Sequence, residues 1–465
     1  MVLPAMPRAP AIFLALVSLG LLLRLAALPA WGTFDVEVQK AWSARAASSG
    51  LADLYGPGDR ELLAAARRRG DSLPSALFSL EIPRERFEWG TGSYFVDYPP
   101  GSLLVLWAAG KLYGLFDPAL ANRRGFNAAI NLAPLLASVG ILWLLWKSAP
   151  SPLGRARALA FWLNPAMILA APVLGYQDPV FGAAALLALL ALRERRYARA
   201  AALVVVAGLI KPQGALLLAT LAVVLLVEAA PLAWLRSAGA GAAAAALLLA
   251  PWWSTGHLLS ALDGCLRPLT QTTLAPLGLN LWWLAGWAAD AVQAGGLPLA
   301  RVVQISEFQA LAGFDPRPVA RLLLALATLA IACLLARGLR RDRSLIALSA
   351  ILQVHAYAFF GTSVHENHTL LAVMIAPLLL GDWPKARLTL LMTSTFAAAS
   401  LLSAAGLGRR ITRLAQVAAI RGAIGIDLSL LFALGHAVLL ALLFVWAWRT
   451  SIRAASPGAS LRDAP

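Results

Sequence analysis

The chain has 465 residues, 60% of them hydrophobic and 13% charged, and a formal net charge of +16. Apolar surface on that scale exceeds what a soluble core of this length hides, so the composition excludes an ordinary soluble domain and implies an all-α polytopic membrane protein. The 39 Lys and Arg residues fall in short clusters between apolar segments and form no continuous face, which excludes a nucleic-acid-binding surface and gives the charge a topological meaning.

The first apolar segment, roughly 11–30, has no small-residue cleavage site after it and is read as a retained membrane helix. Phe34-Asp35-Val36-Glu37-Val38-Gln39-Lys40-Ala41-Trp42 follows at once, so two carboxylates emerge at the mouth of that helix. An acid pulled to mid-bilayer costs roughly 2.5–3.5 kcal/mol, which makes a function for it the default reading. On a helix, Asp35, Gln39 and Trp42 share one face, while Glu37 lies about 200° round from Asp35. The bland alternative is a solvated acidic first turn that complements the helix dipole.

Tyr94-Phe95-Val96-Asp97-Tyr98-Pro99-Pro100 comes next, and the prolines hold Asp97 and Tyr98 extended. The apolar stretch from Pro99 to Phe116 is expected to be a juxtamembrane helix closing a large first outer loop at 31–125. If it crossed, every later Arg cluster would move to the outer face, against the charge rule. Further spans are expected at roughly 126–146, 158–175, 177–192, 198–213, 214–232, 237–255, 319–336, 344–361, 369–384, 388–406 and 428–448, about 12 in all. A second outer loop, 256–318, carries Asn280-Leu281-Trp282-Trp283 and Trp287, which suit either a membrane interface or a substrate contact.

Two polar breaks interrupt the apolar helices: Gly175-Tyr176-Gln177-Asp178-Pro179 and Lys211-Pro212-Gln213-Gly214. Asp178 could cap the next helix and Lys211 could snorkel, yet an ionisable group at membrane depth is a functional candidate. Val364-His365-Glu366-Asn367-His368 invites a metal reading, but its histidines stand three apart with no third ligand near in sequence, which is not the zinc-protease pattern. Cys265 and Cys333 supply neither a disulfide framework nor a metal cluster. Arg409, Arg410, Arg413 and Arg421 fall on the outer side, to lie on lipid phosphates or to meet a phosphate of the substrate. Simple alternation of the spans brings Asp35, Asp97, Gln177, Asp178, Lys211, Gln213, His365 and Glu366 to the outer ends of their helices, and a shared outward-facing cavity explains that convergence.

Taken together and in this order, the motifs resemble the membrane-embedded glycosyltransferases of the GT-C superfamily. Asp35-x-Glu37-x-Gln39-Lys40-x-Trp42, Asp97-Tyr98-Pro99-Pro100, Lys211-Pro212-Gln213 and Val364-His365-Glu366 are similar to motifs of the dolichyl-phosphate-glucose-dependent glucosyltransferases. Gly175-Tyr176-Gln177-Asp178 and Asn280-Leu281-Trp282-Trp283 look more like the bacterial, mannosyltransferase-like members. The likeness covers the chain to about residue 385; Asn367 departs from it, standing where a basic residue is usual. It implies a GT-C fold with juxtamembrane helices in the first loop, a first transmembrane module at 1–255 and a C-terminal one at 319–465.

It also implies an inverting hexosyltransferase with Asp35 as base. Its donor would be a polyprenyl-phosphate sugar and its acceptor a glycan or glycolipid, and it would use no soluble cofactor and no metal. Lys211 and His365 would face the leaving phosphate, and Glu37, Gln39, Asp97, Tyr98, Gln177, Asp178, Gln213 and Glu366 the substrate. The expected location is a bacterial inner membrane, with the site facing the periplasm or cell exterior. A flippase of lipid-linked sugars and an inactive scaffold subunit of an envelope-glycan complex are the rival readings.

Overall fold

The computed structural model describes residues 8–55, 96, 98–266, 274–275, 278–293, 314–405 and 428–455, and the regular structure in them is helical throughout. In chain order, α1 is Arg8–Ala27, α2 Phe34–Ser49, α3 Pro100–Gly114, α4 Arg124–Lys147, α5 Leu153–Trp162, α6 Pro165–Val173, α7 Asp178–Arg193 and α8 Tyr197–Ile210. Then follow α9 (Pro212–Glu228), α10 (Pro231–Ser254), α11 (Leu258–Leu266), α12 (Leu281–Gln293) and α13 (Arg317–Gly338). The chain closes with α14 (Ser344–Phe360), α15 (Leu370–Leu379), α16 (Ala386–Ala405) and α17 (Leu428–Ala455).

Five helices, α1, α4, α10, α13 and α17, are long and apolar enough to cross a bilayer, and a sixth span results if the bent pair α5 and α6 is counted as one. Their outward faces are oily: α1 exposes Leu14, Leu19 and Leu22, and α10 exposes Leu235 and Leu247. Lipid is the solvent such faces require. The protein is therefore a helical, membrane-embedded chain.

The other expected spans form helices too, but several are shorter than the apolar runs suggest. Prolines cut some of them. Lys211 precedes Pro212 and is extended (φ −147°, ψ 133°), so α8 stops at Ile210 after 14 residues, a rise of about 21 Å against about 30 Å of hydrocarbon. At Pro165 the chain bends by 49°, and Asn164 caps the new helix by accepting from the Ala166 N–H at 3.0 Å. Burial explains others: α14 and α15 are apolar on nearly every side because protein surrounds them. The Pro99 to Phe116 segment is the helix α3, whose Leu103, Leu106 and Tyr113 are buried while Trp107 and Leu112 are exposed.

The bundle has two chemically distinct ends, fixed by the direction of α7. At its Arg193 end, Asp382 meets Arg193 at 2.5 Å and Arg157 at 2.9 Å. Glu228 takes Arg343 at 3.1 Å there, just before α14, whose neighbour Leu192 also accepts from Arg343. At the Asp178 end lie the acidic and amide side chains of the sequence motifs.

α2 is bolted across that second end. Lys40 is buried and donates to Glu37 (2.7 Å), Asn122 (2.6 Å) and Asn127 (2.6 Å), while the Ser43 hydroxyl donates to the Leu106 carbonyl of α3 at 2.6 Å. The turn into α2 lies directly on the turn after α6, with the Thr33 N–H donating to the Leu174 carbonyl at 3.0 Å. Two left-handed glycines make the approach possible, Gly32 (φ +68°) and Gly175 (φ +77°). A Cβ on either would collide with the buried Val36.

Gly175→Ala should therefore lower stability by about 1–3 kcal/mol, from overpacking together with the strained φ. Adding Val36→Ala should return part of that loss. Thermal unfolding of the detergent-purified variants checks both, and an unchanged midpoint for the single variant would contradict this packing.

Candidate active site

Asp35 sits in the first turn of α2, where the unpaired N–H groups of the helix favour negative charge. The residue is half-buried, and its carboxyl takes no hydrogen bond from any described residue. Burial raises its pKa above the ordinary carboxylate range. The His365 ring opposes that rise most strongly and the Lys211 ammonium also opposes it, while Glu366 and Asp178 add to it. Groups from α2, the start of α7, the end of α8 and the loop after α14 thus share one electrostatic neighbourhood.

Lys211 reaches it because α8 ends at the preceding residue. The Ser102 hydroxyl of α3 donates to the Ile210 carbonyl at 2.5 Å, satisfying one of the orphan acceptors of that helix end. The Lys211 ammonium donates to both oxygens of Asp178 at 2.9 Å, and both side chains are buried. Its charge is therefore already matched within the protein. The Asn367 amide donates to the same carboxylate at 3.4 Å, and the Tyr176 hydroxyl donates to Glu366.

The His365 loop is held from below by the second motif region. Asn280 donates to the Gly361 carbonyl (3.0 Å), the Trp282 indole to the Phe360 carbonyl (2.7 Å), and the Ser363 N–H to the Leu274 carbonyl (3.1 Å). Trp282, Trp283 and Trp287 are all buried in the protein; Trp282 braces this loop, and the Trp283 indole donates instead to Ser429 at 2.9 Å. His365 itself presents its ring to solvent, although protein packs round the loop and burial holds its pKa down against the pull of Asp35. It stands edge-on to His368, 5.5 Å between centroids. Among the described residues no three His, Cys, Asp or Glu side chains are grouped to hold a metal.

Gln177 joins the site to α2. Its Nε2 donates to Gln39 and to the Ile130 carbonyl, each at 3.3 Å. Four buried oxygens on the motif segments accept nothing from the described residues: Gln177 Oε1, Gln213 Oε1, Glu366 Oε2 and Asn367 Oδ1. An unsatisfied buried acceptor costs about 1–3 kcal/mol, so four of them on the motif segments that carry Asp178, Lys211 and Glu366 suit a region built to receive donors.

Of the sequence candidates, Asp35, Gln39, Gln177, Asp178, Lys211, His365 and Glu366 thus meet, and Gln213 lies two residues from Lys211. Glu37 points elsewhere, into the Lys40 and Asn122 cluster. Tyr98 packs on Trp42 at 5.5 Å and its carbonyl accepts from the Tyr55 hydroxyl at 2.5 Å. Asp97 and the four arginines at 409, 410, 413 and 421 lie outside the described residues. Tyr176 and Asn367 were not among the candidates, although each adjoins one that was.

Lys211→Met would strand the buried Asp178 carboxylate and should cost about 3–5 kcal/mol. In the double variant with Asp178→Asn most of that loss should return, because no unmatched charge remains. Denaturation midpoints of the two variants check this, and equal losses would show that the pair is not coupled.

No family model matches the chain, and a comparison with curated proteins finds no similar one.

Proposed function

We propose that the protein is an inverting glycosyltransferase of the GT-C type, moving a hexose from a polyprenyl-phosphate carrier to a glycan or glycolipid on the non-cytosolic face of a bacterial inner membrane. The observation that carries this reading is the half-buried Asp35, whose carboxyl takes no hydrogen bond from described residues, beside an exposed His365.

In the reaction an acceptor hydroxyl attacks the anomeric carbon. Its proton passes to an Asp35 oxygen as the new glycosidic C–O bond forms, and the bond to the phosphate oxygen breaks with its electron pair staying on the departing polyprenyl phosphate. A raised pKa makes Asp35 a stronger base than an ordinary carboxylate, provided it is ionised. Lys211 is matched by Asp178, so its role is to fix that carboxylate and the two helix ends that carry the pair. His365 is the accessible group for the phosphate, whose negative charge favours the imidazolium and offsets its burial. Gln39, Gln177, Asp178, Gln213 and Glu366 hold the sugar.

We further propose twelve crossings, the short buried helices completing the set, with both termini cytoplasmic and α3 lying along the outer surface. The arginines gathered at the Arg193 end of α7 support that orientation through the charge rule. A reporter fused after Lys147 should read as cytoplasmic, and a periplasmic reading would overturn the arrangement.

A flippase of lipid-linked sugars would share the broken helix α5 to α6. The polar groups at that break are satisfied internally, however, with the Asn164 amide donating to Ser394 at 2.7 Å. Purified protein supplied with radiolabelled polyprenyl-phosphate hexoses should transfer sugar, and liposomes containing it should show no sugar flux. Flux without transfer would favour the flippase, and neither activity the inactive scaffold.

Asp35→Asn should fold and insert but lose transfer by at least about 100-fold, the usual reach of a general base. Because Asp35 must be ionised and its pKa is raised, the wild-type rate should fall as pH drops, and at a higher pH than for an unperturbed carboxylate. A pH profile of kcat/KM checks the sign, and near-normal transfer by the Asn variant would remove Asp35 from the role.

A further inference from the structure

We infer that the sugar accepted here carries no anionic substituent: the site takes a ring rich in hydroxyl or amino donors and rejects a uronic acid. This rests on the glycosyltransferase reading above and adds the class of sugar to it.

The argument starts from the direction of three buried side chains. The Gln177 Nε2 donates to the Ile130 carbonyl and the Asn367 Nδ2 to the Asp178 carboxylate, and neither partner can do anything except accept. Their NH₂ ends are thereby fixed, and Gln177 Oε1 and Asn367 Oδ1 must face the other way. Glu366 is fixed in turn by the Tyr176 hydroxyl on one oxygen, which leaves Oε2 without a donor. All three residues are more than nine-tenths buried. What this part of the site offers a ligand is therefore oxygen acceptors in a set orientation.

The charges point the same way. Asp35, Asp178 and Glu366 act in one neighbourhood with a single lysine, and that lysine is held by both oxygens of Asp178. The Glu366 carboxyl forms no ion pair among the described residues, and the groups that favour a charged Asp35 are the His365 ring and that already matched lysine. A sugar carboxylate brought here would lose its water, find acceptors where it needs donors, and lie beside two like charges. Hydroxyl and ammonium groups instead give these oxygens the donors they lack. The donor's phosphate is on the His365 side, where the ring is open to solvent.

The test uses the full-length protein in nanodiscs and three synthetic donors on one polyprenyl phosphate: glucose, glucosamine with its free amine, and glucuronic acid. Equilibrium binding should rank the first two at least tenfold tighter than the third. In Glu366→Gln the penalty on glucuronic acid relative to glucose should shrink at least threefold, a change of ratio that a merely loosened fold would not produce. Equal affinity for all three donors, tighter binding of glucuronic acid, or a ratio unmoved by Glu366→Gln would each overturn the inference while leaving the glycosyltransferase reading intact. Failure of every donor to bind would instead sink that reading, and this inference with it.

Discussion

Two turns of backbone meet where α1 gives way to α2 and where α6 gives way to α7, and they can touch only because neither carries a side chain at the crossing. Gly32 and Gly175 both adopt positive φ, and the small volume they vacate is filled by Val36. That contact sets the distance between Asp35, on one strand of the crossing, and Tyr176-Gln177-Asp178 on the other. Everything proposed for Asp35 presupposes it. The hydrogen bond from Thr33 to Leu174 and the Gln39 to Gln177 pair then fix the rotation of α2 as well as its position.

Charge is distributed with similar economy. The Lys211 and Asp178 pair is buried, and a buried pair is weak evidence for stability because desolvation offsets most of its attraction. Its value is positional: it joins the first residue of α7 to the residue directly after α8, so two helix ends keep one register. The opposite end of α7 is tied by Arg193 to Asp382, in a more exposed setting where such pairs contribute little. The same helix therefore separates a buried, acid-rich end from an arginine-rich one that is exposed only in part.

The apolar runs made most of the helices legible, since lipid and core both demand continuous hydrophobic surface. They did not distinguish the two. α14 and α15 read as spans because they are apolar all round, yet protein covers them, whereas α1 and α10 read the same way and face outward. The meeting of Asp35, Asp178, Lys211 and His365 was legible from helix parity, which needs only an even count of reversals. Pairing inside the cluster was not. Nothing in Lys211-Pro212-Gln213 reveals that its ammonium is spent on a carboxylate 33 residues earlier, and nothing in the Trp cluster reveals that Trp282 braces the His365 loop. The 3.6-residue period did separate Glu37 from Asp35, but its partner Asn122 is 85 residues away and could be found only in three dimensions.

Ser102 gives the first loop a meaning beyond shape. By donating to the Ile210 carbonyl, it completes the unfinished end of a helix from another part of the chain, one residue before Lys211. Gly101 lets α3 come that close, since a methyl there would press on the Leu209 carbonyl at 2.7 Å. The stretch around α3 is consequently no detachable appendage. Excised, it would leave an uncapped terminus inside the bundle, and chimeras that exchange the loop alone would inherit a broken seam beside the candidate site.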